Sequence, residues 1–153
     1  MKVIVQVISY GLFGLSIIGI DRFTKKMALA YCQTRYCINS FIACDVAFNR
    51  GISWGWLHSQ NEIIFFLVSL MIFLITLAVA FYGAYRFYYR YCIAAEVMII
   101  AGSLSNLIDR WHYQGVIDFI EFSYKGYSWP LFNCADASIV IGVLLMFLLH
   151  ARS

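Results

Sequence analysis

The chain has 153 residues, of which 63% are hydrophobic and 12% are charged, and it contains a single proline. A soluble domain of this size cannot bury so much apolar surface, which excludes a disordered chain, a coiled coil and a water-soluble enzyme. The formal net charge of +3 is spread along the chain without a basic run, so nothing suggests a nucleic-acid partner.

Four apolar stretches predict an all-α integral membrane protein with four transmembrane helices, since about 20 helical residues cross a bilayer core. The predicted spans cover about residues 3–20, 63–85, 92–108 and 135–149. Asp21 and Arg22 follow the first span in place of a small-residue cleavage site, so we interpret this span as a retained anchor. No repeat or linker divides the chain, and residues 1–153 are predicted to form one domain.

The polar segments between the spans predict a small β-like subdomain at the membrane interface. Residues 21–61 are predicted to be an interfacial loop, in which the aromatic and glycine-rich residues 47–56 favour a short sheet or turn. Residues 116–122 are predicted to form one short strand. Both segments lie on the same side of the membrane, but the cations are divided too evenly for the positive-inside rule to decide which side is cytoplasmic.

The five cysteines give weaker indications. Cys32, Cys37 and Cys44 with His58 have an irregular spacing that does not favour a zinc site. A disulfide between Cys32 and Cys37 can form if this loop faces an oxidising compartment.

Acidic residues gather at one interface. Seven of the eight lie on the loop side or at the span ends that face it: Asp21, Asp45, Glu62, Asp109, Asp118, Glu121 and Asp136. Only Glu96 is nearer the other face. A transporter usually places a carboxylate near the middle of a span, so this distribution favours chemistry at the membrane surface.

Each acidic cluster also has a purely structural interpretation. Asp21 and Lys25 are one helical turn apart and could form an interfacial ion pair. Asp109 could pair with Arg110 or with Lys125. Asn106, three residues before Asp109, is costly in an apolar run, and such residues usually face a partner or a cavity.

Residues 132–136 open the fourth span, and here Asn133 could cap the helix while Asp136 benefits from the helix dipole. However, Asp118 and Asp136 are predicted to lie at the same water–lipid boundary. Two close carboxyls cannot both ionise at low cost, so they share a proton and can act as acid and base. If the chain is an enzyme, these residues favour an aspartic hydrolase.

Five motifs in this order resemble the lipoprotein signal peptidase family, the bacterial signal peptidase II. They are Asp21-x-x-x-Lys25, Phe48-Asn49-Arg50-Gly51, Gly102-x-x-x-Asn106-x-x-Asp109-Arg110, Val116-Ile117-Asp118-Phe119 and Phe132-Asn133-Cys134-Ala135-Asp136. Together they span nearly the whole chain. One departure is Arg22, which stands where the family usually has an uncharged polar residue.

The resemblance implies a membrane aspartic endopeptidase that cleaves prolipoproteins before a diacylglyceryl-modified cysteine. Asp118 and Asp136 would be the catalytic dyad. Asn106, Arg110 and Asn133 would line the pocket, and a further group would support it: Asp21, Lys25, Asn49 and Asp109. The family implies a bacterial inner-membrane location with an extracytoplasmic active site, contact with membrane lipid, and no metal or organic cofactor. We expect a monomer.

Two other classes of function predict different essential residues. A small four-helix transporter or channel would depend on Glu96 and tolerate the loss of Asp118 and Asp136. A non-catalytic membrane adaptor would need none of these three acids. Within the enzyme interpretation, Asp109 could replace Asp118 as the partner of Asp136, but a neighbouring Arg110 suggests that Asp109 belongs to a structural ion pair.

Overall fold

The computed structural model describes residues 2–51 and 60–150, with the backbone alone described for residue 150. Within these ranges the chain forms four helices and four strands. They are α1 (Lys2–Tyr31), β1 (Tyr36–Cys37), β2 (Ile42–Asn49), α2 (Glu62–Tyr88), α3 (Ala94–Tyr113), β3 (Val116–Tyr124), β4 (Tyr127–Ser128) and α4 (Cys134–His150).

Helix α1 extends well beyond the predicted first span, so the prediction that residues 21–61 form a loop is wrong at its beginning. The segment from Asp21 to Tyr31 contains neither glycine nor proline, and it stays helical. Asp21 and Lys25 are fully buried on this last part of α1, where other elements supply their partners. The first motif therefore lies on a helix and faces the protein interior.

The other three helices begin and end close to the predicted spans. Asn61 caps α2 by accepting a hydrogen bond from the backbone N–H of Ile63 at 2.8 Å. Helix α3 continues past residue 108 to Tyr113 and ends where Gln114 adopts a left-handed conformation with φ 58°. This extension carries Asp109 and Arg110 on the helix itself.

Two described helices, α1 and α2, are long and apolar enough to cross a membrane. Helix α4 is apolar but shorter. Helix α3 contacts α1, α2 and α4, and its buried positions include small and polar residues such as Gly102, Ser105 and Asn106. Because α3 is the central helix, it is the least apolar of the four, and four complete crossings stay a prediction.

The four strands form one antiparallel sheet in the order β1-β2-β3-β4. The strand predicted at residues 116–122 is confirmed, and β2 reaches into the predicted sheet or turn as far as Asn49. Residues 52–56 of that prediction lie outside the described residues. In the β2–β3 register, Ala47 pairs with Asp118 and Asn49 pairs with Val116, so the end of β2 lies beside the candidate catalytic aspartate.

The disulfide joins Cys32 to Cys44, so a Cys32–Cys37 pairing is wrong. In the β1–β2 register, Cys37 lies opposite Ala43 and is exposed with a free thiol. Cys44, next along β2, is buried against the end of α1. The alternation of side chains along a strand therefore selects Cys44 as the partner of Cys32.

Helices α3 and α4 approach closely at two glycines. A Cβ atom on Gly102 would lie 2.6 Å from the carbonyl oxygen of Ala135, and one on Gly142 would lie 2.8 Å from that of Ala95. Small residues that let backbones approach are typical of helix contacts in membrane proteins. The first of these contacts fixes the start of α4, which carries Asp136.

Candidate active site

Asp118 and Asp136 line one cavity of about 180 Å³. Asp118 lies on β3, and Asp136 lies in the first turn of α4. The other lining residues come from β2, α2, α3, α4 and the chain around the strands: Asn49, Gly51, Ile72, Ile75, Thr76, Ser103, Asn106, Arg110, Val116 and Ile139. The fold thus brings together two carboxyls that are separated by a strand and a turn in sequence.

Both oxygens of Asp118 accept a hydrogen bond from an asparagine amide. Asn49 Nδ2 donates to Oδ2 at 3.0 Å, and Asn133 Nδ2 donates to Oδ1 at 2.7 Å. The amide of Asn49 is itself oriented, because its Oδ1 accepts from the backbone N–H of Gly51 at 2.9 Å. Asp118 is therefore held from the β2 side and from the start of α4.

Asn133 caps α4, as its position before the fourth span predicts. Its Oδ1 accepts a hydrogen bond from the backbone N–H of Asp136 at 2.8 Å. Because the carbonyl end is committed to the helix, the amide nitrogen points towards Asp118. The capping and site interpretations of Asn133 are thus compatible, and the side chain links the two aspartates.

Asp136 is held by Asn106 of α3, whose Nδ2 donates to Oδ1 of Asp136 at 2.8 Å. The Oδ1 atom of Asn106 accepts from Lys25 Nζ at 2.8 Å and from Asn133 Nδ2 at 3.3 Å. These donors fix which end of the Asn106 amide faces Asp136. The prediction that Asn106 faces a partner or a cavity is confirmed on both counts.

The environment of Asp118 favours its protonated form. Burial, followed by the nearby charge of Asp136, raises the pKa of Asp118 from 3.8 to about 7. The amides of Asn49 and Asn133 and the charge of Lys25 act in the opposite direction, but they do not outweigh desolvation. One carboxyl of the pair can thus hold a proton near neutral pH while the other is ionised.

A buried ionic network lies behind Asp136. Lys25 Nζ is 2.7 Å from Asp21 Oδ2 and 2.7 Å from Asp109 Oδ2, and all three side chains have no exposed surface. Asp21 also accepts from Ser105 Oγ at 2.6 Å and from the backbone N–H of Ala135 at 2.8 Å. The Asp21–Lys25 pair is therefore not the solvated interfacial pair that its spacing suggests, but a connection between α1, α3 and α4.

The expected ion pair between Asp109 and Arg110 is wrong, as is the alternative with Lys125. Asp109 pairs with Lys25 and Arg22 and accepts from the backbone N–H of Ile117 at 3.3 Å. Adjacent residues on a helix point in different directions, so Arg110 instead faces the cavity. There its guanidinium donates to the backbone oxygens of Arg50 and Gly51.

The nine predicted site residues lie together around the cavity and the network behind it, and their roles stay a prediction. Four further polar side chains were not predicted to be part of the site. Arg22 and Ser105 join the buried network, and Thr76 and Ser103 line the cavity. The helical spacing of Arg22 and Lys25 could have indicated the first of these. The part of the chain that the structure describes contains no cluster of three His, Cys, Asp or Glu residues suited to a metal ion, and His58 lies outside it.

Comparison with known proteins matches most of the chain to one family. The family described as Signal peptidase (SPase) II matches residues 13–152. A lipoprotein signal peptidase of Ralstonia nicotianae is 34% identical over 149 residues, covering 91% of this chain and 83% of the relative. The lipoprotein signal peptidase of an Azoarcus species is 33% identical over 142 residues, covering 90% and 80% respectively.

Solved structures agree with this match. A bacterial membrane enzyme crystallised in meso and solved at 2.3 Å superposes with a TM-score of 0.75 at 26% identity, covering 94% of this chain and 88% of the other. A second such structure, at 1.9 Å, gives a TM-score of 0.70 at 27% identity, with 92% and 90% covered. Sequence and fold lead to the same conclusion: the chain belongs to the signal peptidase II family.

Proposed function

We propose that this chain is an aspartic endopeptidase in which Asp118 and Asp136 hydrolyse the prolipoprotein bond that precedes a diacylglyceryl-modified cysteine. Membership of the signal peptidase II family gives the reaction, which is removal of the signal peptide from prolipoproteins. The observation that carries the aspartic mechanism is the cavity lined by both carboxyls, each held by asparagine amides.

In the first step the ionised Asp136 takes a proton from a water molecule, whose oxygen attacks the scissile carbonyl carbon. Asp118, whose pKa of about 7 keeps it protonated in mildly acidic solution and about half protonated at neutral pH, donates its proton to the carbonyl oxygen. The product of this step is a neutral tetrahedral diol, and Asp118 is now ionised while Asp136 carries the proton.

In the second step the diol collapses. Asp136 gives its proton to the leaving amide nitrogen as the carbon–nitrogen bond breaks, and Asp118 recovers a proton from a diol hydroxyl. The signal peptide leaves with a new carboxyl end, the cysteine has a free amine, and the dyad returns to its starting protonation. These proton transfers between the two acids, the water molecule and the substrate involve no metal or organic cofactor.

Other residues have positioning roles in this proposal. Asn106 and Asn133 hold the carboxyls, and Arg110, whose guanidinium lies 5.5 Å from the Phe65 ring centroid, borders the substrate space. Asn49 supports Asp118 from β2. Asp21, Lys25 and Asp109 form the buried network that supports Asn106.

The lining of the cavity and the disulfide support a proposed placement in the membrane. Ile72, Ile75 and Ile139 make the helical part of the cavity apolar, which suits a substrate that remains in the bilayer. We propose four crossings of the bacterial inner membrane, with the sheet and dyad on the extracytoplasmic side and lipid around α1 and α2. The Cys32–Cys44 disulfide supports this orientation, because disulfides persist in oxidising compartments. We further propose that the enzyme acts as a monomer, with prolipoproteins as partners and no nucleic acid.

The transporter alternative is not favoured, because Glu96 forms an ion pair with Arg86 at 2.7 Å. Its charge is thereby neutralised at the opposite end of α3 from Asp109, away from the carboxyl-lined cavity. The family match also names a peptidase.

The test is cleavage of a diacylglyceryl-modified prolipoprotein by the purified protein in detergent or lipid. Asp118→Asn and Asp136→Asn are expected to lose turnover while substrate binding persists, and Asp109→Asn is expected to keep part of the activity. Glu96→Gln is the comparison variant, because Glu96 would be essential in a transporter but not in the proposed peptidase. Full activity in either dyad variant would contradict the mechanism, and an inactive wild type would contradict the proposed function.

A further inference from the structure

Without Arg22, the buried network beside Asp136 would contain more negative charges than positive ones. Asp21 and Asp109 supply two carboxylates, and Lys25 supplies one ammonium; none of the three is exposed. Arg22, also on α1, pairs with Asp109, and 29% of its side-chain surface remains exposed. With Arg22 included, the network contains two anions and two cations. An uncompensated buried charge is strongly unfavourable, so Arg22 is an integral part of the network.

Lys25 divides its hydrogen bonds between this network and the active site. An ammonium group has three N–H bonds, and Lys25 has three acceptors: Asp21 at 2.7 Å, Asp109 at 2.7 Å and the neutral oxygen of Asn106 at 2.8 Å. If Arg22 were absent, Lys25 would be the single cation facing two buried carboxylates. Its attraction to them would then compete more strongly with its bond to Asn106.

The bond to Asn106 determines what Asp136 contacts. Asn106 Oδ1 accepts a short bond from Lys25 at 2.8 Å and a longer one from Asn133 at 3.3 Å, so its Nδ2 group faces Asp136 and donates at 2.8 Å. The reversed amide would present an oxygen to the Asp136 carboxylate and repel it. Successive contacts therefore connect Arg22 to Asp136, by way of Asp109, Lys25 and Asn106.

We propose that Arg22 is a positioning residue for the cleavage reaction, because it neutralises Asp109 and thereby leaves Lys25 to hold the Asn106 amide against Asp136. This inference rests on the proposed function of Asp136 as the base. The charged groups around Asp136 come from three other elements: Asp21, Arg22 and Lys25 of α1, Asp109 and Arg110 of α3, and Asp118 of β3. Helix α2 contributes the uncharged Thr76 to the same cavity.

The experiment compares Arg22→Gln with Lys26→Gln over a pH series of kcat/KM. Both variants remove one positive charge from neighbouring positions of α1, but Lys26 is exposed and outside the network. Loss of Arg22 should weaken the stabilisation of ionised Asp136. The acid limb of the pH profile, where kcat/KM falls as Asp136 becomes protonated, should therefore move to higher pH by on the order of half a pH unit. This corresponds to about a threefold loss of kcat/KM on the acid side.

Two further variants separate positioning from structural damage. Arg22→Lys retains the charge and should restore the wild-type limb. The double variant Arg22→Gln/Asp109→Asn restores a neutral network of Asp21 and Lys25, and it should move the limb back towards the wild-type position. An unchanged limb in Arg22→Gln, an equal shift in Lys26→Gln, or no recovery in either of these further variants would overturn the proposal.

A measurement that does not depend on cleavage tests this inference separately from the proposed function. Carboxyl ¹³C NMR of aspartate-labelled protein, with Asp136→Asn used for assignment, follows the ionisation of Asp136 directly. A higher midpoint in Arg22→Gln than in Lys26→Gln supports the network even if wild type fails to cleave prolipoprotein. Identical midpoints contradict it even if wild type is active.

Discussion

The two ends of the Asn133 amide have different partners: one caps helix α4, and the other binds the candidate catalytic carboxyl of Asp118. Its oxygen accepts from the backbone of Asp136, and its nitrogen donates to Asp118. A hydroxyl can replace the oxygen as a helix cap, but a serine side chain is too short to reach Asp118 in the same way. The two contributions of Asn133 can therefore be separated by substitution.

Asn133→Ser is expected to keep the cap of α4, because serine and asparagine cap helices about equally well. It should still lower the free energy of unfolding by about 1–3 kcal/mol, because the buried oxygens of Asp118 and Ile117 lose the donor that Asn133 supplies. It should lower kcat/KM by about 10- to 100-fold, because Asp118 becomes ionised as it donates its proton in the proposed first step, and a hydrogen bond to a charged group contributes about 1.5–3 kcal/mol. Asn133→Ala should lose the same activity and about 1 kcal/mol more stability than Asn133→Ser, because it also loses the cap. Thermal unfolding and initial-rate kinetics on both variants check this, and undiminished cleavage by Asn133→Ser would contradict it.

The raised pKa of Asp118 predicts how activity and stability depend on pH. Its pKa is raised from 3.8 in the unfolded chain to about 7, so the folded protein binds a proton that the unfolded chain releases. Stability should therefore fall as pH rises from about 4 to about 7, and kcat/KM should fall as pH rises through about 7. The second effect follows because Asp118 then loses the proton that it donates in the proposed mechanism.

Asp118→Asn should remove this dependence of stability on pH. The difference in free energy of unfolding between variant and wild type should change in favour of the variant by on the order of 2 kcal/mol between pH 5 and pH 8. Asp45→Asn, a carboxyl on β2 that does not line the cavity, is the control. A constant difference across this range would contradict the environment described for Asp118.

At the scale of elements, the start of α4 depends on its contact with α3. Gly102 lets the backbone of α3 approach the carbonyl of Ala135, the residue before Asp136, and Gly142 makes an equivalent approach further along α4. Only the first contact adjoins the candidate active site. The same chemical change at the two glycines thus distinguishes helix packing from the placement of Asp136.

Gly102→Ala and Gly142→Ala should each destabilise the protein by about 1–3 kcal/mol, because an added methyl group overpacks a close backbone contact. Gly102→Ala should also lower kcat/KM at least tenfold under conditions where both variants are folded, since it displaces the turn that carries Asp136. Equal effects of the two substitutions on kcat/KM would show that the contact near Ala135 has no special importance for the site.

The sequence predicted the elements better than it predicted their partners. Hydrophobic length located α2 and α4 closely, and the short strand predicted at residues 116–122 corresponds to β3. It could not show that α1 continues past Asp21, because a charged pair after an apolar run is equally typical of a membrane boundary. Nor could spacing reveal that Asp109 pairs with Arg22 and Lys25 of α1 rather than with adjacent Arg110. Such pairings depend on how whole helices pack, which local patterns do not encode.

At the scale of the whole molecule, one covalent bond joins the helical part to the sheet. Cys32 follows the end of α1, and Cys44 lies on β2, the strand that ends with Asn49. Ala28, Ile117 and Phe119 pack around the two cysteines, so the bond is part of a small core beside β3. The bond therefore restrains both β2 and the support that Asn49 gives to Asp118.

Cys32→Ser/Cys44→Ser should lower the free energy of unfolding by about 3 kcal/mol, the loop-closure value for a separation of 12 residues. Cleavage should weaken as well, because β2 holds Asn49 on Asp118 less firmly. Cys37→Ser, which changes an exposed free thiol, is the matched control. Thermal unfolding with and without a reductant provides the measurement. Insensitivity of the wild type to reduction would contradict this role of the bond.

This bond also has a consequence for the order of events during biosynthesis. Both cysteines lie in the first 44 residues, whereas α3, β3 and α4 are made later. Because the ribosome adds residues one after another, the covalent loop can close before Asp118 and Asp136 have been synthesised. An oxidant that acts on the nascent N-terminal segment would then join helix α1 to strand β2 before the rest of the chain packs against them.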